Sequence, residues 1–596
     1  MFSAATQTQW EELVRAKASD PEVPLVTDLD EGLSTKWLYT EGDALPADPR
    51  VRGPRLGTPW AIRQQIQATT LSAANAQIIE ELEGGASEIL LSLDPTASAG
   101  LPALTAPTLA EALAGVYLNM ASVALDSTLL TASQAGQAAE ALLTVLRDSE
   151  HGPDQISGCL GLSDPAQLPL AISAQAEFPR LRGIVIDSGR YVDAGAGVRD
   201  ELAFALASGA ALLKYGEQRG IDPLATARTL EFTLICGPDQ FLEIAKLRAA
   251  RKLWTRLLEL CGVSEPHPSA LYARTSRRMM SSLDPWVNIL RATTASFAAG
   301  VGGADGVTVV PFDEPYGEGL TTPGPLGRRV ARNTQLLLLE ESHLHRVSDP
   351  AGGSWYVESL TEQLAASAWT RFQEIERQGG IAALTEDGTI TAQLKNATAA
   401  RHKRIALRQQ ELTGVNSFPL LGDDGLVREP EQTPRAWPMA DTAAPLGRRI
   451  VRDGAQFEQL RARAAALAPP PRMLLACLGS LSAHAAIAQW AKNFFEAGGV
   501  LTVPSGPQPD GAAQARLLAD ENLKVAALCP GRGVGEDVQQ EAIAALRAAG
   551  ATRVYLVGAN DDAAQAAGAD GGAKQGMNMV AVLGALLDHY EQPAEA

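Results

Sequence analysis

Short apolar runs alternate with longer amphipathic segments through residues 56–421. The runs at 88–94, 183–187 and 307–310 have the length of buried strands, and the first two end in an acidic residue. Residues 241–260 instead carry apolar side chains at helical spacing, which predicts an amphipathic helix. Alternation of strands and helices over such a length favours an α/β fold with a parallel sheet. We predict a closed TIM-type (β/α)8 barrel over residues 56–421.

The same alternation returns more regularly in residues 471–596. Four apolar runs have the length of buried strands and lie at 473–478, 500–503, 525–529 and 554–557. Helical patterns follow these runs near 485–497, 511–521, 536–549 and 577–590. This order predicts a small doubly wound, flavodoxin-like domain, and such a domain binds ligands at the carboxyl ends of its strands.

The two remaining segments differ in composition. Residues 422–470 are rich in proline, which predicts a linker between the two domains, with one short helix near 453–467. Residues 1–55 carry apolar side chains that are too few to form a core of their own. We therefore predict an N-terminal arm that contacts a partner subunit. The apolar residues of this arm are Trp10, Leu13, Val14, Val23, Pro24, Leu25, Val26, Trp37 and Leu38.

Composition excludes several classes of partner. The net charge of −19 and the pI near 5.0 argue against binding to nucleic acid or to an anionic membrane. The five cysteines are scattered, which is typical of a reducing compartment. Residues 1–20 lack the uninterrupted apolar core of a signal peptide, and no apolar stretch approaches the ~20 residues that a membrane span needs. We expect a cytoplasmic protein.

Five short segments carry a resemblance to one enzyme family. They are Pro59–Gln64, Glu243–Trp254, Ala331–Gln335, Asp349–Glu358 and the strand end Cys477–Gly479. In this order they resemble segments of the methylmalonyl-CoA mutases, and the resemblance extends over roughly residues 55 to 590. It implies an adenosylcobalamin-dependent radical rearrangement that interconverts (R)-methylmalonyl-CoA and succinyl-CoA. It also implies that the acyl-CoA lies along the barrel axis, with the cobalamin between barrel and C-terminal domain.

The C-terminal domain departs from the family at the cobalt ligand. Cobalamin-binding members carry Asp-x-His-x-x-Gly after the first strand of this domain, and its His ligates cobalt. Aligned without gaps, these three positions are Leu481, Ala483 and Ala486 here. His484 is one residue late and has no carboxylate two residues before it, so we expect a partly exposed histidine without a ligand role. The domain is therefore interpreted as a degenerate cobalamin-binding domain.

The barrel departs from the family at the substrate. Active members continue Tyr-Ala-Gly-Phe-Ser after the first barrel motif, whereas this chain has residues 65–69 without either aromatic. The family His that bonds the thioester carbonyl aligns with Arg190, and the Tyr before it aligns with Gly189. Because an arginine keeps its charge, we expect Arg190 to be an internal plug that pairs with an acid such as Asp187.

Other candidates are weaker. Glu314 occupies the place of a family acid near the adenosyl group and is interpreted as a relic, since its neighbouring family Asn is missing. The glycines of 531–535 are suggestive of a nucleotide-tail channel, but such turns are common. His343 and His345 have the spacing of a metal pair without a third ligand, and Arg277–Arg278 is expected to form surface ion pairs.

A fold preserved without its chemical residues indicates a non-catalytic subunit. The resemblance is to the small (beta) subunit of heterodimeric methylmalonyl-CoA mutases. It implies a 1:1 complex with a catalytic large subunit that binds the adenosylcobalamin. We therefore assign no catalytic, cofactor-binding or metal-binding residue to this chain. Two alternatives stay open. One is an active cobalamin-dependent acyl-CoA mutase with atypical ligands, and the other is a docking scaffold for the mutase maturation GTPase.

Overall fold

The computed structural model describes most of the chain. The described residues are 5–18, 22–46, 48–51, 57–97, 100–102, 104–264, 270–315, 324–422, 450–508 and 510–592. Much of the expected linker, residues 423–449, lies outside them. Among the described residues, no helix is both long enough and apolar enough to cross a membrane.

The N-terminal segment consists of one helix and one hairpin. Helix α1 spans Gln7–Lys17 and begins with a capping box, in which Thr6 and Gln9 bond each other's backbone N–H. Strands β1 (Val26–Asp28) and β2 (Ser34–Lys36) then pair antiparallel. Short 3-10 turns lie at Asp30–Gly32, Glu41–Asp43 and Pro49–Val51.

Eight parallel strands close a barrel in the order β10-β3-β4-β5-β6-β7-β8-β9. Val307 of the last strand lies opposite Ile62 of the first and Ala273 of its other neighbour, which closes the ring. The expected fold class is confirmed. The strands are β3 (Ala61–Ile66), β4 (Glu88–Ser92), β5 (Ser122–Asp126), β6 (Ser157–Leu162), β7 (Arg180–Asp187), β8 (Leu230–Cys236), β9 (Ala270–Thr275) and β10 (Gly306–Thr308).

Helices surround the barrel and bury their apolar faces on it. Threonines at 70, 105 and 131 cap three of these helices, because each hydroxyl accepts a bond from a backbone N–H in the first turn. The helices up to β9 are α2 (Leu71–Glu83), α3 (Ala106–Ala112), α4 (Ala132–Arg147), α5 (Leu168–Glu177), α6 (Gly189–Val192), α7 (Val198–Glu217), α8 (Pro223–Arg228) and α9 (Gln240–Leu260). After β9 follow α10 (Pro285–Val301), α11 (Pro325–Leu336), α12 (Trp355–Arg377), α13 (Gly380–Glu386) and α14 (Thr389–Ala406).

Four of the family-like segments meet in pairs inside this shell. The indole N–H of Trp60 donates to Gln335 Oε1 at 3.2 Å, which joins the first and third segments. Arg248 of the second segment lies 3.0 Å from Asp349 Oδ1 and 2.7 Å from Glu358 Oε1 of the fourth. These residues thus have a structural role that needs no ligand.

A five-stranded parallel sheet follows, in the order β12-β11-β13-β14-β15. This is the flavodoxin-like order, with a fifth strand that the apolar pattern did not predict. The helix expected in the linker is α15 (Ala455–Ala466). The strands are β11 (Arg472–Leu478), β12 (Leu501–Pro504), β13 (Val525–Pro530), β14 (Arg553–Val557) and β15 (Gly571–Ala573). The helices are α16 (Leu481–Glu496), α17 (Gly511–Asp520), α18 (Glu536–Ala548), α19 (Asp561–Ala566) and α20 (Met579–Glu591).

Contacts join this sheet domain to the barrel. Ile405 of α14 and Val415, which follows that helix, are buried in one apolar core with Phe457 and the sheet residues. The Val451 N–H donates to the Asp193 carbonyl at 2.9 Å, and the Ser282 N–H donates to Glu458 Oε1 at 3.0 Å. The carboxyl edge of the barrel is therefore bonded directly to the start of the C-terminal unit.

Candidate functional site

The candidate cobalamin loop after β11 is short and closely packed. Gly479 adopts a left-handed conformation with φ of 89°, and helix α16 begins two residues later at Leu481. A Cβ atom placed on Gly531 would lie only 3.0 Å from the Ala483 side chain and 2.7 Å from the Leu478 carbonyl oxygen. The first turn of α16 thus packs directly on the loop that follows β13.

His484 lies in the interior, so the prediction of a partly exposed histidine is wrong. Its side chain is buried, and its Nδ1 lies 3.2 Å from the Gly479 carbonyl oxygen. One residue earlier, at the family's cobalt-ligand position, the Ala483 side chain has no atom that could bind a metal. The residues present at this loop do not fit the lower ligand of a cobalamin.

The glycine-rich loop at 531–535 forms backbone hydrogen bonds to the end of β11 and the start of α16. The Gly531 N–H donates to the Leu478 carbonyl at 3.0 Å, and the Arg532 N–H donates to the Ala483 carbonyl at 3.2 Å. Over the described part of the chain, no three His, Cys, Asp or Glu side chains group so that they could hold a metal ion.

The barrel mouth places its charges differently from the prediction. Arg190 is exposed, and its guanidinium lies 5.5 Å from the Tyr191 ring centre. The expected internal plug paired with Asp187 is therefore wrong, because the Arg190 side chain is exposed at the rim of the cavity in the barrel mouth. Asp187 Oδ1 instead accepts the Gly189 N–H at 2.8 Å.

Arg274 is the guanidinium that faces the acids of the mouth. It is almost fully buried and lies 2.8 Å from Asp193 Oδ2. Burial raises the pKa of Asp187, and the charge of Arg274 opposes that rise. Burial alone would lower the pKa of Arg274, but Asp193 and Asp187 together raise it. The sequence did contain a signal for this role, because Arg274 is a basic residue near the carboxyl end of the otherwise apolar strand β9.

Several other polar side chains of the mouth bond one another. Gln65, which replaces the family Tyr, donates to Ser92 Oγ at 2.9 Å and to Asp126 Oδ2 at 3.1 Å. Arg277 donates to Gln65 Oε1 at 3.2 Å and lies 2.8 Å from Glu314 Oε1. Arg277 is thus an interior residue rather than the expected surface pair, and the relic Glu314 is its ion partner. A cavity of about 120 Å³ remains among these groups.

A charged layer crosses the barrel below this cavity. Arg63 lies 2.6 Å from Glu231 Oε1 and 2.7 Å from Glu88 Oε1, and its guanidinium stacks 3.7 Å from the Tyr272 ring centre. Burial raises the pKa of Glu231, although Arg63 opposes this rise. Arg63 and Glu231 border the upper cavity, whereas Glu88 borders a second cavity of about 760 Å³ at the amino end of the strands.

Sequence reasoning missed this layer, although two acids inside apolar strands were a usable signal. It likewise missed the buried cluster around Lys246. The Lys246 ammonium lies 2.7 Å from Glu201 Oε2 and 2.5 Å from Glu243 Oε2. Glu201 Oε1 accepts the Ser188 hydroxyl at 2.6 Å and the Ile235 N–H at 2.7 Å. This cluster fixes the carboxyl ends of β7 and β8.

The N-terminal segment has one anchored part and one exposed part. Leu33 is buried on the barrel core, and Ser34 exchanges two backbone bonds with the Gln363 amide at 3.1 and 3.0 Å. The Arg199 N–H donates to Glu31 Oε2 at 2.8 Å. The exposed part is an apolar groove lined by Trp10, Leu13, Val14, Lys17, Ala18, Val23 and Trp37.

Comparisons with known proteins agree on one family. A family model described as methylmalonyl-CoA mutase matches residues 170–490. The methylmalonyl-CoA mutase small subunit of Streptomyces virginiae is 39% identical, over 98% of this chain and 97% of that protein. The small subunit of Propionibacterium freudenreichii subsp. shermanii is 34% identical, over 98% and 95% of the two chains. The Escherichia coli K12 methylmalonyl-CoA mutase is 30% identical, over 70% of this chain and 64% of its own length.

Proposed function

The chain belongs to the methylmalonyl-CoA mutase family, and we propose that it is the non-catalytic small subunit of a 1:1 heterodimer. In this proposal the large subunit binds adenosylcobalamin and interconverts (R)-methylmalonyl-CoA and succinyl-CoA. The chain described here stabilises that complex and contributes no residue to the reaction. The names of the similar small subunits support the assignment.

The observation that carries the proposal is the packing at the start of α16. Ala483 stands at the ligand position and closes against Gly531, while the neighbouring His484 is buried and directed to the Gly479 carbonyl. A cobalt ligand needs an imidazole nitrogen that the metal can reach. Ala483 has no such nitrogen, and the His484 ring is buried inside the domain.

The charged layer of the barrel supports the same conclusion. An acyl-CoA along the axis would have to displace Arg63 from Glu88 and Glu231. Breaking a buried ion pair costs about 3–5 kcal/mol, because the remaining charge loses its partner in a medium of low polarity. The layer therefore opposes threading of a substrate through this barrel.

The groove on the N-terminal segment supplies a surface for the partner. Leu13 and Trp37 are 54% and 48% exposed and line the same groove, and exposed apolar side chains that are grouped in this way mark interaction surfaces. Aromatic side chains at the centre of an interface often dominate its binding energy. We place the large subunit on this groove.

Reconstitution tests the proposal. The purified chain and a large subunit are each assayed alone and together for methylmalonyl-CoA isomerisation, with adenosylcobalamin present. We expect the mixture to be active and this chain alone to be inactive. The R190M variant should support the same activity as the wild type once mixed, since the exposed Arg190 takes no part in the reaction in this proposal. Turnover by this chain alone would contradict the proposal.

A further inference from the structure

Two cysteines lie side by side in the C-terminal sheet. Cys477 on β11 and Cys529 on β13 are direct partners in the parallel register of these neighbouring strands. Both side chains belong to the same apolar core, so they project from the same face of the sheet. Each is less than 3% exposed, and neither forms a disulfide.

The positions of these residues suit a covalent bond. Neighbouring strands lie about 4.7–4.9 Å apart, and disulfides usually join residues whose Cα atoms are about 4.4–6.8 Å apart. An in-register pair on one face therefore needs no movement of the backbone. The other cysteines offer no such pairing: Cys159 and Cys236 are buried in separate barrel strands, and Cys261 is exposed after α9.

The two thiols differ in acidity. A hydrogen bond from the Cys529 thiol lowers the pKa of Cys477, burial opposes this, and Ser505 contributes a further hydrogen bond. The same bond and burial raise the pKa of Cys529. A thiol of lowered pKa beside a protonated one is the arrangement in which the first acts as the nucleophile.

We propose that Cys477 and Cys529 are an oxidation site, a dithiol that hydrogen peroxide converts reversibly to a disulfide. The Cys477 sulfur attacks one peroxide oxygen, the O–O bond breaks, and the leaving hydroxide takes a proton to become water. Cys477 is then a sulfenic acid. The Cys529 sulfur attacks the Cys477 sulfur, the S–S bond forms, and the sulfenic oxygen leaves as a second water with the remaining proton. Two thiols are oxidised while one peroxide is reduced.

The surroundings of Cys477 indicate how peroxide reaches the sulfur and which strands the disulfide would join. The half-buried Ser505 adjoins Cys477, since the Cys477 N–H donates to Ser505 Oγ at 3.0 Å. Because both cysteines are buried, we expect peroxide to reach Cys477 when the structure opens locally beside Ser505. The disulfide would join the neighbouring strands β11 and β13 on the face of the sheet that α16 and α20 cover. The inference is independent of the proposed subunit role.

The test uses the full-length C261S chain, which lacks the exposed thiol that would link separate molecules. After hydrogen peroxide treatment, the protein is denatured, alkylated and digested for mass spectrometry. We expect one linked peptide containing Cys477 and Cys529, while Cys159 and Cys236 remain alkylated. Dithiothreitol should remove the link, and the oxidised protein should have a higher Tm because the bond restricts the unfolded chain.

Single variants separate this site from general oxidation. C529S should accumulate a sulfenic acid at Cys477 that a dimedone reagent captures, whereas C477S should give much less at Cys529. If Cys477 and Cys529 both stay fully alkylatable while Cys261 of the wild type is oxidised, the proposal is overturned. Oxidation of Cys477 to sulfinic acid without any linked peptide would overturn it as well.

Discussion

The Lys246 ammonium lies 2.7 Å from Glu201 Oε2 in the barrel wall, where helices α9 and α7 meet. Both side chains are 1% exposed, and Glu243 completes the cluster. We expect K246M to lower the free energy of unfolding by about 3–5 kcal/mol, because it leaves two carboxylates buried without a cation. Urea denaturation of the full chain measures this difference.

The matched control is K252M on the same helix. Lys252 pairs with Glu362, whose side chain is 53% exposed, and with Asp48. An ion pair in contact with solvent contributes at most about 1 kcal/mol. Equal decreases in the free energy of unfolding for K246M and K252M would show that the buried cluster stabilises the fold no more than the exposed pair does.

A second prediction compares the two arginines of the barrel mouth. R274M should destabilise the protein by about 3–5 kcal/mol, since Asp193 and Asp187 would lose the cation that faces them. R190M should change the stability by less than ~0.5 kcal/mol, because Arg190 is exposed. Thermal unfolding of the two variants decides the point. A larger loss of stability for R190M than for R274M would support the internal plug that the sequence had predicted.

A third prediction concerns acid at the joint between barrel and sheet domain. Burial lowers the pKa of His402 below 6.5, although the nearby Arg452 carbonyl, 3.3 Å from Nε2, opposes this. At His402 the unfolded chain therefore binds a proton more readily than the folded chain. Protonation of His402 thus lowers the free energy of unfolding as the pH falls below 6.5. We expect H402Q to flatten the dependence of Tm on pH between about 5 and 7. An unchanged slope would contradict this origin.

Cobalamin binding provides the fourth test. Titration of the chain alone with adenosylcobalamin should give no heat above dilution, because Leu481 and Ala483 replace the Asp and His of the family loop. H484Q should leave that result unchanged while it lowers Tm, since His484 is buried against Gly479. A stoichiometric binding curve that H484Q abolishes would identify His484 as a ligand.

The fifth prediction separates the two parts of the N-terminal segment. Deletion of residues 1–22 removes α1 and five of the seven residues that line the apolar groove but keeps Leu33 and Ser34 on the barrel. This truncated chain should fold normally and associate less tightly with a large subunit in sedimentation. L13D should weaken association similarly, and E12K on the exposed side of α1 is the control. Normal assembly of both the truncation and L13D would place the partner elsewhere.

The fold could be predicted because several of its strands, such as β4 and β13, are nearly continuous apolar runs. Ile89, Leu91 and Val123 are all buried, as expected for a parallel sheet covered on both sides. Strand β15 was missed because Gly571–Ala573 has neither β-branched nor large apolar residues. Its pairing with β14 depends on the rest of the sheet rather than on its own residues.

The charges of the barrel were harder to predict. An alignment placed Arg190 at the position of a family His, but the spacing of residues does not reveal that this side chain is exposed and that Arg274 faces the acids instead. Arg63 was recognised only as part of a motif, and its partners Glu88 and Glu231 lie 25 and 168 residues away. Contacts at such separations follow from barrel closure, so they become visible only in three dimensions.

The meeting of Arg248 with Asp349 and Glu358 bears on how relatives of this chain are recognised. These residues stand in segments that mark the family, yet they bond one another in the wall of the barrel. Selection for folding alone would retain them after catalysis is lost. A sequence search that relies on these segments therefore detects common ancestry and a shared fold. It groups catalytic chains together with non-catalytic ones. Separating the two requires the loops at the carboxyl ends of the strands.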